Sequence, residues 1–131
     1  MKDDAKIWLQ YSEENLQSAK LLLESGLFNP CLQNVQQCVE KALKAILIEN
    51  SHILKKTHDI LELKVFLDGI GIKIDLTEDE CDFLNSIYLP SKYPIGSALP
   101  DYDPGIEICK EAIAVAEKVS ESVQKYFQKN K

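Results

Sequence analysis

The 131 residues are 45% hydrophobic and 27% charged, as in ordinary folded domains, and no apolar run approaches the roughly 20 residues needed to span a bilayer. The formal net charge of −6 argues against a broad electrostatic grip on nucleic acid, although it leaves room for a local basic pocket. All 15 basic residues are lysine, which excludes any mechanism that requires the planar, two-pronged guanidinium of arginine.

The N-terminal residues and the cysteines indicate in which cellular compartment the protein is expected. Met1-Lys2-Asp3-Asp4 lacks the basic-then-apolar order of a signal peptide. Cysteines stand singly in apolar helical patterns, where a free thiol behaves as a small hydrophobe. We therefore expect one cytoplasmic domain over residues 1–131, with reduced buried thiols, no cofactor, no metal and no membrane attachment. The cysteines are Cys31, Cys38, Cys81 and Cys109.

Two long helices are predicted in the first 50 residues, because apolar side chains recur there at intervals of three and four. The first covers residues 3–25 and is closed by Gly26, which suits a left-handed C-terminal cap. The second covers residues 30–50, with Asn29 as its cap and Pro30 in the first helical position. The apolar side of the first helix is predicted to consist of Trp8, Tyr11, Leu16, Ala19, Leu22 and Leu23.

Three further helices are predicted from their capping signals. The third opens near Thr57 and stops at Gly69. The segment 77–80 (Thr-Glu-Asp-Glu) is a capping box that starts the fourth helix. This helix should end within residues 88–94, since proline lacks a backbone donor and disfavours helix in the preceding residue. The fifth helix is predicted over residues 104–127, with Asp103 and Pro104 as cap and first residue.

The lengths of these elements and of the links between them predict the fold. Residues 70–76 alternate apolar and other side chains, but so short a segment cannot form a sheet alone. Long helices joined by short links favour an up-and-down antiparallel bundle of four to five helices. The predicted fold class is therefore all-α.

A row of polar side chains on the second helix is the first candidate for chemistry. The row consists of Gln33, Gln36, Gln37, Glu40, Lys41 and Lys44. Gln37, Lys41 and Lys44 share one face through their spacing, and Glu40 is placed to pair with Lys44 across one turn. The row is either a solvated helix face or the lining of a groove or dimer seam. Both interpretations stay open at this point.

The second candidate is the segment 55–59, in which Lys55 and Lys56 precede a helix N-terminus. Backbone donors and the helix dipole favour an anion such as phosphate there. His58 could act as a general acid or base, since histidine ordinarily changes charge near neutral pH. The alternative is structural: Thr57 caps the helix, Asp59 stabilises its first turn, and His58 packs against a neighbour.

The third candidate is the segment 88–94, where tyrosines, a serine and a lysine interrupt the helical pattern. Lys92 could hold a phosphate, and Tyr88 or Tyr93 could stack on a base. The alternative is a proline-bounded turn whose tyrosines cover the end of the bundle. Glycine-rich phosphate loops and zinc motifs are absent from the sequence, and His52 and His58 are a poor basis for a metal site.

These segments, taken together, resemble three motifs of HEPN domains (higher eukaryotes and prokaryotes nucleotide-binding). Residues 35–45 (VQQCVEKALKA) are similar to the QQxxEKALKA signature of the family's second helix. Residues 56–60 resemble its K-T-H-D-L segment, and residues 88–94 its Y-x-P-S-R-Y-P segment. The resemblance implies a left-handed helical bundle that commonly dimerises and binds nucleotides or RNA. It also implies a frequent neighbour, a minimal nucleotidyltransferase, in toxin–antitoxin or defence-type operons.

Many HEPN proteins are metal-independent ribonucleases built on an Arg-x(4–6)-His motif, and here the chain departs from its relatives. It contains no arginine, and Ser97 and Ala98 stand where a histidine would follow Lys92. Lysine offers a point charge without the planar fork of arginine. We therefore expect ligand binding to persist and efficient RNA cleavage to be absent.

The leading hypothesis from the sequence is a dimeric HEPN protein that binds a nucleotide or RNA within a toxin–antitoxin-like module, with a minimal nucleotidyltransferase as candidate partner. Two alternatives are a metal-independent ribonuclease that uses His58 and Lys92, and a module that only binds other proteins. The residues expected to contact phosphate or base are Lys56, His58, Lys92, Tyr93, Lys41 and Lys44.

Overall fold

Five α-helices account for most of residues 1–51, 56–92 and 105–130, which are the residues that this computed structural model describes, with backbone alone for 88–92. No strand occurs in these ranges, and the all-α prediction is confirmed. The division into a single domain stays a prediction. The helices are α1 (Asp3–Glu24), α2 (Phe28–Glu49), α3 (Ile60–Gly69), α4 (Glu78–Lys92) and α5 (Ile106–Lys129).

The first two helices form an antiparallel hairpin. The Ser12 hydroxyl donates to the backbone carbonyl of Cys38 over 2.7 Å, and one turn later Asn15 Nδ2 donates to Asn34 Oδ1 over 2.9 Å. Residues later in α1 thus contact residues earlier in α2, which shows that the two helices are antiparallel. The link is short because Gly26, with φ of 73°, turns the chain, and the Leu27 N–H closes on Leu22 O at 2.9 Å. The predicted glycine cap is confirmed.

The core is built around α2, which packs against each of the other four helices. A helix surrounded in this way is apolar over most of its circumference, and thirteen α2 residues are buried. Fully buried large side chains from α2, α3 and α4 meet there. They include Leu32, Leu43, Ile46, Leu47, Ile60, Leu63, Leu67 and Leu84.

All four cysteines are free and buried, as predicted. Burial disfavours the charged thiolate and raises the pKa of Cys31 to about 12. The same effect raises the pKa of Cys38 and of Cys81 to about 11. These thiols therefore serve as core side chains rather than as nucleophiles.

Two predicted helix starts are wrong by a few residues. α2 begins at Phe28, so Pro30 lies inside the first turn, where its missing N–H would have no partner in any case. The reason is the tight glycine turn, which leads directly into α2 without a cap from Asn29. α3 begins at Ile60 rather than near Thr57, because Asp59 caps it by accepting from Glu62 N at 3.2 Å.

The capping box at the start of α4 is confirmed. The Thr77 N–H donates to Glu80 Oε1 over 2.9 Å, and the Glu80 N–H donates to Thr77 Oγ1 over 3.1 Å. Lys118 of α5 adds two bonds to the Glu80 carboxylate, at 2.6 and 2.7 Å. This end of α4 is therefore fastened to α5.

The far end of α4 and the start of α5 differ from prediction. α4 ends at Lys92, inside the predicted segment, but it continues through Pro90. A proline so near the end removes only one helical hydrogen bond, so the helix tolerates it. α5 begins at Ile106 with Gly105 as cap, and the predicted cap at Asp103 and Pro104 lies outside the described residues.

One residue predicted on an apolar stripe faces outward instead. Tyr11 of α1 is 52% exposed. It lies on a helix that buries only one side, so helical spacing alone did not distinguish the edge of the stripe from its centre. None of the described helices combines the length and apolar character that crossing a membrane requires.

Gly26→Ala should lower the free energy of unfolding by about 1 kcal/mol, because an alanine is strained in the left-handed region. A Cβ at this position would meet no atom within 4 Å, so backbone strain is the whole cost. Gly69→Ala is the matched control, since it also faces open space but lacks the positive φ. Urea denaturation should show Gly69→Ala unchanged or stabilised; equal losses in both variants would contradict this explanation.

Candidate functional site

A buried carboxylate on α2 organises the candidate site. Glu40 is 4% exposed, and its Oε2 accepts from Lys44 Nζ at 2.8 Å. Its other oxygen, Oε1, lies 2.8 Å from His58 Nδ1 and accepts from Gln36 Nε2 at 3.1 Å. The carboxylate therefore joins three side chains, two from its own helix and one from the segment before α3.

The charge state of Glu40 determines how His58 is held. Burial raises the pKa of the Glu40 carboxyl, but hydrogen bonds from Lys44, His58 and Gln36 outweigh burial and bring the pKa below its ordinary value. An ionised carboxylate only accepts hydrogen bonds, so Nδ1 of His58 must carry the hydrogen. In the neutral ring Nε2 is then the basic nitrogen. The His58 side chain is 56% exposed, so a group that can exchange protons is held by a buried anchor.

The backbone around His58 is fixed from two directions. Gln36 Nε2 donates to the His58 carbonyl over 3.1 Å, which ties the segment to α2. Asn85 of α4 accepts from Ile60 N at 3.0 Å and donates to Asp59 Oδ1 at 2.8 Å. The imidazole is therefore presented from a segment clamped between α2 and α4.

The α3 N-terminus is a weaker anion site than the sequence predicts. Asp59 accepts the Glu62 N–H, and Asn85 accepts the Ile60 N–H. Thr57 does not cap α3; its hydroxyl accepts from Asp59 N at 3.1 Å and donates to Glu62 Oε2 at 3.1 Å. An anion in this region would therefore depend on side chains such as Lys56 and His58.

The polar row on α2 is divided between the interior and the surface. Gln36, Glu40 and Lys44 are buried, and the Lys44 ammonium also lies 6.0 Å from the centre of the Trp8 ring. Gln33, Gln37 and Lys41 are only partly buried. The interpretation as a solvated face is therefore wrong for Gln36, Glu40 and Lys44, which α1 and the His58 segment cover. Lys44 therefore acts as the counter-ion of Glu40.

The other predicted ligand contacts are distributed as follows. Lys56 is exposed, two residues from His58. Lys41 is partly buried and donates to Asn15 Oδ1 over 3.0 Å. Lys92 is the last residue of α4, two helical turns beyond Asn85, and its side chain lies outside the described residues. Tyr93 lies wholly outside them, as do His52 and Lys55.

Sequence reasoning missed Asn85, which supports the site from α4. Asn85 carries no motif signal, and its partners lie 25 and 26 residues away. Gln36 belongs to the predicted polar row, but spacing could not predict its hydrogen bond to the His58 carbonyl, 22 residues away. The predicted pairing of Glu40 with Lys44 was a usable signal, because a pair beside an apolar stripe can become buried when another element crosses it. Among the described residues, no three His, Cys, Asp or Glu side chains are grouped so as to hold a metal ion.

A separate cleft of about 910 Å³ lies beyond the C-terminal ends of α2 and α3. Lys73, Lys125 and Lys129 line it, and none of the predicted ligand contacts does. Lysines near helix C-termini are favoured by the negative end of the helix dipole. Their presence is thus explained without a ligand, and the site around His58 remains the better candidate.

The comparison with known families decides the identity of the fold. A family model described as "HEPN domain" matches residues 5–126. The chain belongs to the HEPN family. The match includes α2, the His58 segment and α4, so the site described above lies within the shared domain.

Known relatives of this HEPN domain include a protein of Methanocaldococcus jannaschii named "Putative toxin MJ1304", which is 42% identical over 52 residues. That alignment covers 40% of this chain and 34% of the relative, about a third of its length. The crystal structure of TT1696 from Thermus thermophilus is 25% identical, with a TM-score of 0.77 over 95% of this chain and 98% of that one. ST0689, an archaeal HEPN homologue, is 24% identical, with a TM-score of 0.62 over 96% and 98% of the two chains.

Glu40→Gln should destabilise the protein at neutral pH by about 3–5 kcal/mol, because the Lys44 ammonium would stay buried without its carboxylate. The lowered pKa of Glu40 means that its contribution is fully present above the ordinary value of 4.5 and is lost as pH falls through the folded value. The stability gap between wild type and variant should therefore shrink in acid.

Urea denaturation of both proteins across the acid range measures this gap. Glu121→Gln, which neutralises an exposed carboxylate on α5, is the matched control and should track wild type. A gap for Glu40→Gln that stays constant down to the acid limit would show that Glu40 is not ionised in the folded protein.

Proposed function

We propose that this HEPN domain binds a nucleotide or RNA as a homodimer within a toxin–antitoxin-like module, and that it cleaves RNA inefficiently. The observation that carries the proposal is the His58 imidazole, half exposed and held by the buried Glu40 carboxylate. Lys56 lies two residues before it and is exposed, so one surface segment carries both a cation and an oriented imidazole. That pairing suits a phosphate ligand.

The role in a module is supported by the relative that is named a toxin and by the family itself. A minimal nucleotidyltransferase is the proposed protein partner, since HEPN proteins are often encoded beside one. We place the complex in the cytoplasm.

Binding is favoured over cleavage by the charges around His58. Phosphodiester cleavage needs a cation that stabilises the charge developing on phosphate in the transition state. Lys44, which shares the Glu40 carboxylate with His58, is buried and neutralised by it. The other two cations near the site, Lys56 and Lys92, are also lysines, so neither can make the bidentate contact of an arginine with phosphate.

Lys56→Ala and Lys92→Ala should each weaken binding of short RNA or of adenine nucleotides by about 2- to 5-fold, as expected for loss of one exposed ionic contact. Fluorescence anisotropy with labelled RNA and calorimetry with AMP and ATP measure the affinities. Lys110→Ala removes an equal charge from an exposed position on α5 and should bind as wild type does.

Equal affinities in all four proteins would refute the site. If no nucleotide or RNA binds or raises the melting temperature, and a protein partner co-purifies, the domain is an interaction module instead.

A second candidate function is ribonuclease activity, and the Glu40–His58 hydrogen bond favours it specifically. A carboxylate that fixes the imidazole tautomer is the arrangement by which a histidine is oriented as a general base. In this mechanism Nε2 would take the proton of the 2′-hydroxyl as its oxygen bonds to phosphorus, and the bond from phosphorus to the 5′-oxygen would break. The imidazolium would give the proton to the departing 5′-oxygen, and Lys92 would stabilise the charge on the phosphate.

Any RNA cleavage by the purified wild type should fall by at least about 100-fold in His58→Ala, because general acid–base catalysis contributes at least that much. Gel analysis of labelled RNA after long incubation measures it, with Lys110→Ala as the control that retains the activity. Cleavage that survives unchanged in His58→Ala would come from another group or from a contaminant.

A further inference from the structure

Lys41 differs from the other partly or fully buried lysines of the described chain. Lys44, Lys64 and Lys118 each form an ion pair with a carboxylate at 2.6–2.8 Å. The Lys41 ammonium instead donates to the neutral Asn15 amide and faces the Tyr11 ring, and no carboxylate of the described residues pairs with it. A partly desolvated charge without a counter-ion is costly, so an anion would be bound favourably there.

The second observation is the exposed aromatic ring beside this cation. Tyr11 is 52% exposed, although it sits on the helix side that the sequence pattern assigns to the core. The Lys41 ammonium lies 5.8 Å from its ring centre, which fixes the ring against α2. The outcome is an exposed aromatic ring with a positive charge over one of its faces.

A polar surface connects this pair to His58. Lys41 follows Glu40 in α2, so its side chain leaves the helix about 100° away from the carboxylate that holds His58. Gln37 lies one turn before Lys41, between these two directions, and its Nε2 donates to Gln36 Oε1 over 3.0 Å. α1 borders this strip through Tyr11 and Asn15, and the His58 segment borders its other side.

We infer that Tyr11 and Lys41 form a subsite for one unpaired nucleotide of single-stranded RNA, in which the base stacks on the Tyr11 ring and Lys41 holds a phosphate. This inference rests on the proposed function, and it names both the ligand class and a contact surface on α1. Stacking on an aromatic ring tolerates any base, so the subsite would select single strands rather than a sequence.

The arrangement favours a strand over a mononucleotide. Because the Lys41 and Glu40 side chains leave α2 about 100° apart, we expect a ligand with one phosphate group to reach Lys41 or the His58 segment but not both. A strand can place successive phosphates at the two positions while the intervening base lies over Gln37. The amide of Gln37 could then donate to or accept from a base edge.

The test compares RNA of about four nucleotides with AMP on wild type, Tyr11→Phe and Tyr11→Leu. RNA should bind wild type at least about 10-fold more tightly than AMP does. Tyr11→Leu should weaken RNA binding about 5- to 100-fold, the range found for loss of base stacking, whereas Tyr11→Phe should retain it. Leu21→Ala, which alters an exposed apolar residue farther along α1, should bind as wild type does.

Salt dependence tests the charge separately. For single strands the slope of log affinity against log salt changes by about 0.7 for each phosphate contact. Lys41→Gln should therefore reduce the slope by about 0.7, while Lys20→Gln, an exposed α1 lysine paired with Glu117 at 3.2 Å, should leave it unchanged.

The outcomes separate this inference from the proposed function. If Lys56→Ala weakens RNA binding but Tyr11→Leu and Lys41→Gln do not, the Tyr11–Lys41 subsite is refuted while ligand binding at His58 stands. Equal affinities for AMP and RNA would likewise refute the inference that the ligand is a strand rather than a mononucleotide. If wild type binds no RNA at all, the proposed function fails and the subsite fails with it.

Discussion

The arrangement of the site depends on one constraint, which is that the ionised carboxylate of Glu40 is buried and must be surrounded by donors. Lys44, Gln36 and His58 provide these donors, at 2.8, 3.1 and 2.8 Å. A buried ion pair of this kind is weak evidence for stability, because an apolar substitute of equal volume often serves as well. The pair does orient the His58 side chain. Few arrangements allow two residues of α2 and the histidine of a loop to donate hydrogen bonds to the same carboxylate.

The polar row exists because α2 is central. Its apolar faces contact four helices, and the remaining strip faces the gap between α1 and the segment before α3. Polar side chains in that gap lie close enough to the surface to bond an exposed imidazole. They are also buried enough to be held rigidly, so the imidazole keeps its position. Asn85 of α4 holds the neighbouring Asp59 and Ile60, so the segment that carries His58 is fixed by both α2 and α4.

The sequence alone predicts the helices and the core well, because both follow from periodic spacing and local capping. Gly26 and the Thr77–Glu80 box act within a few residues of themselves, so their roles could be predicted. The start of α3 could not, since the choice of Asp59 over Thr57 is reinforced by Asn85, 26 residues away. For the same reason Glu40 and Lys44 could be paired from their spacing but not assigned to the interior.

Tyr11 illustrates the opposite error: Glu40 and Lys44 are buried where an exposed position was possible, whereas Tyr11 was predicted in the core and is exposed. An aromatic residue at helical spacing is usually part of the core, and only the contact with Lys41 shows why this ring stays at the surface. Spacing locates a residue around its own helix, whereas exposure depends on how far the neighbouring helix extends over it.

The buried thiols carry a practical consequence. Every native cysteine is enclosed in the core and kept protonated by its surroundings, so maleimide reagents applied to the folded protein should find no competitive native target. A cysteine introduced on the exposed face of α5 would then be the preferred point of attachment for a spin label or fluorophore, without first removing the others. Distances between labels on two copies of the chain could be measured in the otherwise unaltered protein.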